Sequence, residues 1–234
     1  MGFATVAGGA RATKPSAGIL ASDLAVGSVV KLMEGGTAVE YLVVNQGIPG
    51  GSSLYDSACN GIWLLRKDIH SKRAWTASMN DGYRTSDINT WLNGDFFNSL
   101  GAIEQATIRQ VQIPYCSSGL GNPVYSGANG VTCKVFLLAG YEVGIGGAGY
   151  VPQDGAKLDY FNQNTDADTK RIENLNATPI RWWLRSTRTQ SDSDALYINT
   201  DGSFSYGYAS NSYGIRPALI LPSNAKFDVA TMLL

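Results

Sequence analysis

The single histidine, His70, lies in Lys67-Asp68-Ile69-His70-Ser71-Lys72-Arg73. Nucleophilic catalysis needs a histidine within reach of a Ser or Cys and of a carboxylate that orients it. Nothing in the local spacing provides that set, so an exposed or capping histidine is expected. Cys59, Cys116 and Cys133 are an odd, widely spaced trio with neither a C-x-x-C pair nor zinc-ligand spacing. They read as buried free thiols, or as one disulfide with a thiol left over. A glycosidase needs paired carboxylates across the scissile bond. Asp192, Asp194 and Asp201 are close in sequence but read as turn residues. Asp166 and Asp168 have calcium-ligand chemistry, yet a solvated loop accounts for them. The expectation is therefore no catalytic residue, no metal and no cofactor.

Recognition chemistry is better represented. Four of the twelve Tyr, namely Tyr197, Tyr206, Tyr208 and Tyr213, fall within 17 residues, interleaved with Ser, Gly and Asn. Tyr offers broad amphipathic contact at low entropic cost, while Ser, Gly and Asn offer adaptable hydrogen bonds. The same residues also make ordinary strands and turns with no binding role.

Several elements must hold these residues. Val29-Val30-Lys31-Leu32 and Val39-Glu40-Tyr41-Leu42-Val43-Val44 flank Gly35-Gly36 and read as a hairpin; Gly61 to Leu65 reads as a buried strand. Thr85-Ser86-Asp87 can cap a helix carrying Ile88, Trp91 and Leu92 on one face and ending at Asn93-Gly94. A second short helix is expected over 103–108, a central strand at Val135-Phe136-Leu137-Leu138, and irregular loops over 144–149 and 153–168. Arg181-Trp182-Trp183-Leu184-Arg185-Ser186 forms an aromatic strand. Asp201-Gly202 then joins a hairpin, in which Tyr197 and Asn199 share one face and strict alternation puts Phe204, Tyr206 and Tyr208 together. Gly214 to Leu221 returns to the core.

Composition narrows the classes. Of 234 residues only 16% are charged, 27 are Gly, and the net charge is -1, which suits a loop-rich β protein and argues against nucleic acid. Scarce charge also predicts binding that depends weakly on salt. No apolar run reaches membrane-spanning length, so no membrane insertion is expected, and residues 1–20 do not read as a signal peptide. Residues 1–22 read as a flexible arm, 23–222 as one domain, and 223–234 as a tail.

Tyr41-Leu42-Val43-Val44, Trp63-Leu64-Leu65, Trp91-Leu92-Asn93, Phe136 to Glu142, Trp183-Leu184-Arg185-Ser186 and Gly214 to Leu219 together resemble an uncharacterised domain family of Firmicutes and their phages. The resemblance spans residues 26–222. It implies an α+β, C-type-lectin-like fold related to formylglycine-generating-enzyme-like domains, and likeness to the variable proteins of diversity-generating retroelements. The cysteine pair of the formylglycine-generating enzymes is missing, since no Cys follows Cys133, and the Glu-Pro-Asn, Gln-Pro-Asp and Trp-Asn-Asp patterns of calcium lectins are missing too. In retroelement systems template adenines are replaced, so AAY codons scatter into residues that never include Gln, Lys, Glu, Met or Trp. Those five types number 29 in the chain and none occurs over residues 191–221; chance alone gives roughly two in a hundred.

The resemblance thus implies a scaffold of Trp182, Trp183, Arg185, Gly214, Arg216 and Pro217, with both Arg paired to buried acceptors. Segment 187–213 is of variable type, and its contact set is Tyr197, Asn199, Ser203, Ser205, Tyr206, Tyr208, Ser210, Asn211 and Tyr213. The expected function is a phage-tail, virion or extracellular adhesin for a host-surface protein or glycan. Its arm would meet virion or fibre proteins, and a homotrimer would multiply weak contacts. The alternatives are a structural virion component or a fixed carbohydrate-binding module.

Overall fold

A computed structural model describes residues 18–117, 123–161 and 168–234. Two five-stranded sheets dominate them. Their strands in chain order are β1 (Val29–Glu34), β2 (Thr37–Gln46), β3 (Ile62–Arg66), β4 (Ser71–Ala74), β5 (Val135–Phe136), β6 (Trp182–Thr187), β7 (Asp194–Ile198), β8 (Phe204–Tyr208), β9 (Ser212–Ile215) and β10 (Ala218–Leu221). The first sheet runs β5-β10-β3-β2-β1 and is antiparallel throughout. The second runs β8-β7-β6-β9-β4, with β6 and β9 parallel and the other pairs antiparallel.

The expected β1–β2 hairpin turns at Gly35-Gly36, with Glu34 opposite Thr37. β3 is buried and central to its sheet. Val135-Phe136 is buried as well, but it is a two-residue edge strand rather than a central one. Ser86 caps the first helix, its Oγ accepting from Asn89 N at 3.2 Å. That helix does not stop at Asn93-Gly94; it passes through a π-helical turn, Leu92–Phe96, and ends at Ser99. The stripe Ile88, Leu92 and Phe96 is buried over its length, and this burial outweighs the roughly 1 kcal/mol cost of a helical Gly. Asn93, instead of turning the chain, grips β5. Its Nδ2 donates to Val135 O (2.9 Å) and its Oδ1 accepts from Lys134 N and Val135 N (2.8 and 3.1 Å).

The expected α+β, C-type-lectin-like class is corrected here. The described residues are mostly β, 36% strand against 18% helix, with several small antiparallel sheets and one helix of seven or more residues. The second helix, Ala102–Thr107, is under two turns long. With so little helix, apolar residues at period two supply most of the core.

Two crossovers lying side by side tie the sheets together. Residues 66–71 carry the chain from β3 to β4, and residues 215–218 carry it back from β9 to β10. Arg66 N donates to Pro217 O and His70 N to Ile215 O. The buried Arg216 fills the corner, its Nε donating to Arg66 O and Lys67 O (2.9 and 3.2 Å) and its Nη2 pairing with Glu173 at 2.9 Å. Residues read as arm and tail meet as well: Gly18–Leu20 pairs with Lys226–Asp228, while arm residues 1–17 lie outside the described residues.

Candidate functional site: an aromatic sheet face

Neighbouring strands of the second sheet bring Trp183, Tyr197 and Tyr213 into one cluster. Trp183 and Tyr197 are in register across β6 and β7, and their rings meet edge-on at 6.0 Å. Tyr213 closes the trio at 4.5 Å from Trp183 and 4.8 Å from Tyr197, within the range of favourable aromatic pairs. Trp183 is the buried floor, its Nε1 donating to Arg73 O at 3.0 Å. Gly207 lets β8 pass close to Tyr197; a Cβ there would stand 3.3 Å from the ring.

Arg181, two residues before Trp183 and therefore on the same side of the strand, covers the trio. Its guanidinium lies 5.4 Å from the Tyr197 ring and 5.7 Å from Tyr213. Its Nε donates to Asn199 Oδ1 (3.2 Å), Asn199 Nδ2 donates to Ser203 Oγ (3.0 Å), and Ser203 Oγ donates to Asp201 Oδ1 (2.6 Å). Asn211 Nδ2 donates to Tyr213 OH at 3.4 Å. Ser205 stands opposite Tyr197 across β7 and β8, so Tyr197, Asn199, Ser203, Ser205, Asn211 and Tyr213 belong to one neighbourhood. Trp183 and Arg181 join it, and period-two reading of Arg181 against Trp183 is the signal that could have found both.

The remaining expected contact residues face elsewhere. The β7–β8 register is unbroken, pairing Leu196 with Tyr206 and Ile198 with Phe204, so no bulge at Gly207 intervenes. Phe204, Tyr206 and Tyr208 therefore share the side of core residues Leu196 and Ile198. Tyr206, 36% exposed, leans on Tyr150 at 5.3 Å beneath Arg188, whose guanidinium is 3.8 Å from its ring. Tyr208, 66% exposed, lines a cleft of about 310 Å³ with Thr76, Ser78, Asp192 and Ser210. Tyr197 is only 7% exposed, so it is as much packing as surface.

The scaffold is set by buried charge. At a bulge β6 leaves β7, and Arg185 N donates instead to Leu138 O. The Arg185 guanidinium meets Glu142 through two 2.6 Å bonds. Its other donors reach Pro114 O, Leu137 O and Asp154 O. Arg185 pairs with the buried Glu142 as expected, while the partner of Arg216, Glu173, is only partly buried.

Groups with catalytic potential are placed otherwise. His70 is neither exposed nor a cap: it is half-buried between Trp91 and Phe96, at 5.3 and 5.2 Å. Burial, then the nearby Arg66, lowers its pKa. Its Nδ1 contacts Ser71 Oγ at 2.9 Å, a contact between chain neighbours. All three cysteines are buried and free, and burial pushes the Cys59 and Cys116 thiols up to about 12. Asp168 caps a short helix, its carboxylate accepting from Lys170 N at 3.0 Å; Asp166 lies outside the described residues.

The family model described as "Domain of unknown function (DUF6273)" matches residues 60–223. The chain belongs to the DUF6273 family. The match spans β3 to β10 and the whole aromatic face, while β1 and β2, which complete the first sheet, precede it. No curated protein and no solved structure matches the chain.

Proposed function

We propose that this DUF6273 chain is a binding module, displayed on a phage particle or a cell surface, that recognises a host-surface glycan or protein and performs no chemistry on it. The contact surface is the face around Tyr197 and Tyr213. One observation carries the reading: a trio of aromatic rings, topped by Arg181 and fringed by Asn199, Ser203, Ser205 and Asn211, stands on paired strands instead of a loop. Rigid aromatic anchors with adaptable polar neighbours are the chemistry of recognition surfaces, and a desolvated aromatic anchor can contribute ~2 kcal/mol or more. The shielded His70 and the buried thiols are poorly placed as nucleophiles or bases.

Diversification by a retroelement fits the missing residue types over 191–221. Within that window Leu196, Ile198, Ile215 and residues 217–221 are buried, so tolerated change should fall on the exposed and half-buried positions, among them Asn199, Ser203, Ser205, Tyr206, Tyr208, Ser210, Asn211 and Tyr213. Sequencing the locus across related isolates tests this. Differences concentrated at these positions, and matching adenines in a nearby template repeat, are expected. Even variation across the chain, with no template, would remove the diversification reading.

A further inference from the structure

We infer that the groove beside Tyr213 takes the charged group of an acidic saccharide, a reading that deepens the binding function proposed above and rests on it. The groove, of about 360 Å³, is lined by Lys72, Pro179, Ile180, Arg181, Thr200 and Tyr213. That volume lies in the range of small-molecule sites and exceeds what a lone ion needs.

Two of its lining residues are cations, Lys72 and Arg181, and among the described residues neither has a carboxylate within 4 Å. Asp201, in the adjoining turn, accepts from the N–H and O–H of Ser203 (3.0 and 2.6 Å) and makes no ion pair with either cation. Two cations on one concave surface, neither ion-paired, suit an anionic ligand.

Arg181 is also pre-set for the task. Its Nε is held by Asn199, and its guanidinium lies 5.4 and 5.7 Å from the Tyr197 and Tyr213 rings. The two terminal nitrogens remain to donate in parallel to a carboxylate or phosphate, and little side-chain freedom is lost on binding. Tyr213 and Thr200 line the same groove and offer hydroxyls for the oxygens of a sugar. A uronic-acid carboxylate and a sugar phosphate share this chemistry. Binding in the groove weakens as salt rises, contrary to the salt-insensitive contact that scarce charge alone predicts.

Calorimetric titration of the full chain with oligogalacturonate, a phosphorylated galactose oligomer and a neutral galactose oligomer of equal length tests the inference. At least one acidic probe should bind, and the one that binds identifies carboxylate or phosphate as the source. The neutral oligomer should bind at least tenfold more weakly. Arg181→Gln should weaken the acidic probe about tenfold, Lys72→Gln several-fold, and Arg181→Lys less than Arg181→Gln, all with unchanged melting temperature. The inference is overturned if neither acidic probe binds, if the neutral oligomer binds as tightly, or if the Arg181→Gln/Lys72→Gln double variant binds like the parent. Should that happen while isolates still vary at the exposed face positions, the acidic-ligand inference falls alone and the binding-face reading stands.

Discussion

Arg185 and Glu142 meet fork to fork in the interior, Nη1 to Oε2 and Nη2 to Oε1 both at 2.6 Å, with neither side chain exposed. Every N–H of the guanidinium has an acceptor, and Glu142 also accepts from Tyr55 OH and Ala139 N (2.8 and 2.9 Å). This ion pair joins β6 to four loop segments around residues 55, 114, 139 and 154. Removing one partner leaves a buried charge, so Glu142→Gln or Arg185→Met should each cost roughly 3–5 kcal/mol. An isolated pair could be replaced by apolar residues at little cost. Here the double variant Arg185→Met/Glu142→Leu also strands Pro114 O, Leu137 O and Asp154 O. A urea double-mutant cycle should therefore give a double variant close to the worse single one, well short of the sum. Additive effects, or single costs under about 1 kcal/mol, would show that the network is not a unit.

Asp154 makes stability depend on pH. It is buried; its Oδ1 accepts from Ser186 Oγ at 2.8 Å while its Oδ2 has no partner. Burial raises its carboxyl to about 7 from 3.8, with Arg185 opposing. Below pH 3.8 it is protonated in both the folded and the unfolded chain, and its contribution is fully present. Between there and about pH 7 only the unfolded chain ionises freely, so the fold loses up to about 1.4 kcal/mol per pH unit, and the loss is complete above pH 7. His70, with its lowered pKa, acts in the opposite sense on its own acid side, so the comparison is made with Asp154→Asn. Urea midpoints at pH 5 and 7.5 should differ less in that variant than in the parent. An unchanged difference would exclude Asp154 as the cause.

The sequence disclosed the parts whose signals are local. The Gly35-Gly36 hairpin, the apolar run 62–66 and the Ser86 cap follow from alternation, turn residues and side-chain capping within a few positions. The helix was misjudged at Asn93-Gly94 because the partner of Asn93 is a strand more than 40 residues away. Glu142 lies 43 residues from Arg185, and no periodicity marks such a pair. The contact set was legible as a composition but not as a surface. Tyr197 and Tyr206 are on opposite sides of one sheet, which becomes plain only once the register pairs Leu196 with Tyr206. Fold class suffered similarly, since two short helical stretches carry propensity but too little apolar area to form a layer.

Two left-handed backbone positions should respond with opposite sign. Gly202, at φ +81°, ends the β7–β8 turn, and a Cβ there would stand 2.2 Å from Asp168 O. Gly202→Ala meets both the conformational penalty and the clash, so a loss of about 2 kcal/mol or more is expected. In the hairpin joining Asn174–Leu175 to Thr178–Pro179, the central residues Asn176 and Ala177 have φ of 52° and 64°. That is a type I′ turn, which favours Asn-Gly, so Ala177→Gly should gain about 1 kcal/mol. Thermal melts of both variants check this, and a shared sign would contradict it.

Tyrosines of one composition should divide by burial. Tyr208, mostly exposed, should tolerate Ala within about 0.5 kcal/mol. Tyr197 lies between Trp183, Tyr213 and the backbone of Gly207, so Tyr197→Ala opens a cavity and should cost about 3 kcal/mol. Tyr213, half-buried with its ring 4.5 Å from that of Trp183, should lose about 1 kcal/mol. Urea denaturation of the three variants measures this ordering. The same ordering sets which positions can change without unfolding the chain: isolates should differ freely at 208, keep a large side chain at 197, and fall between at 213. Equal costs at 197 and 208 would mean that the aromatic trio is surface decoration and not the anchored floor of a contact site.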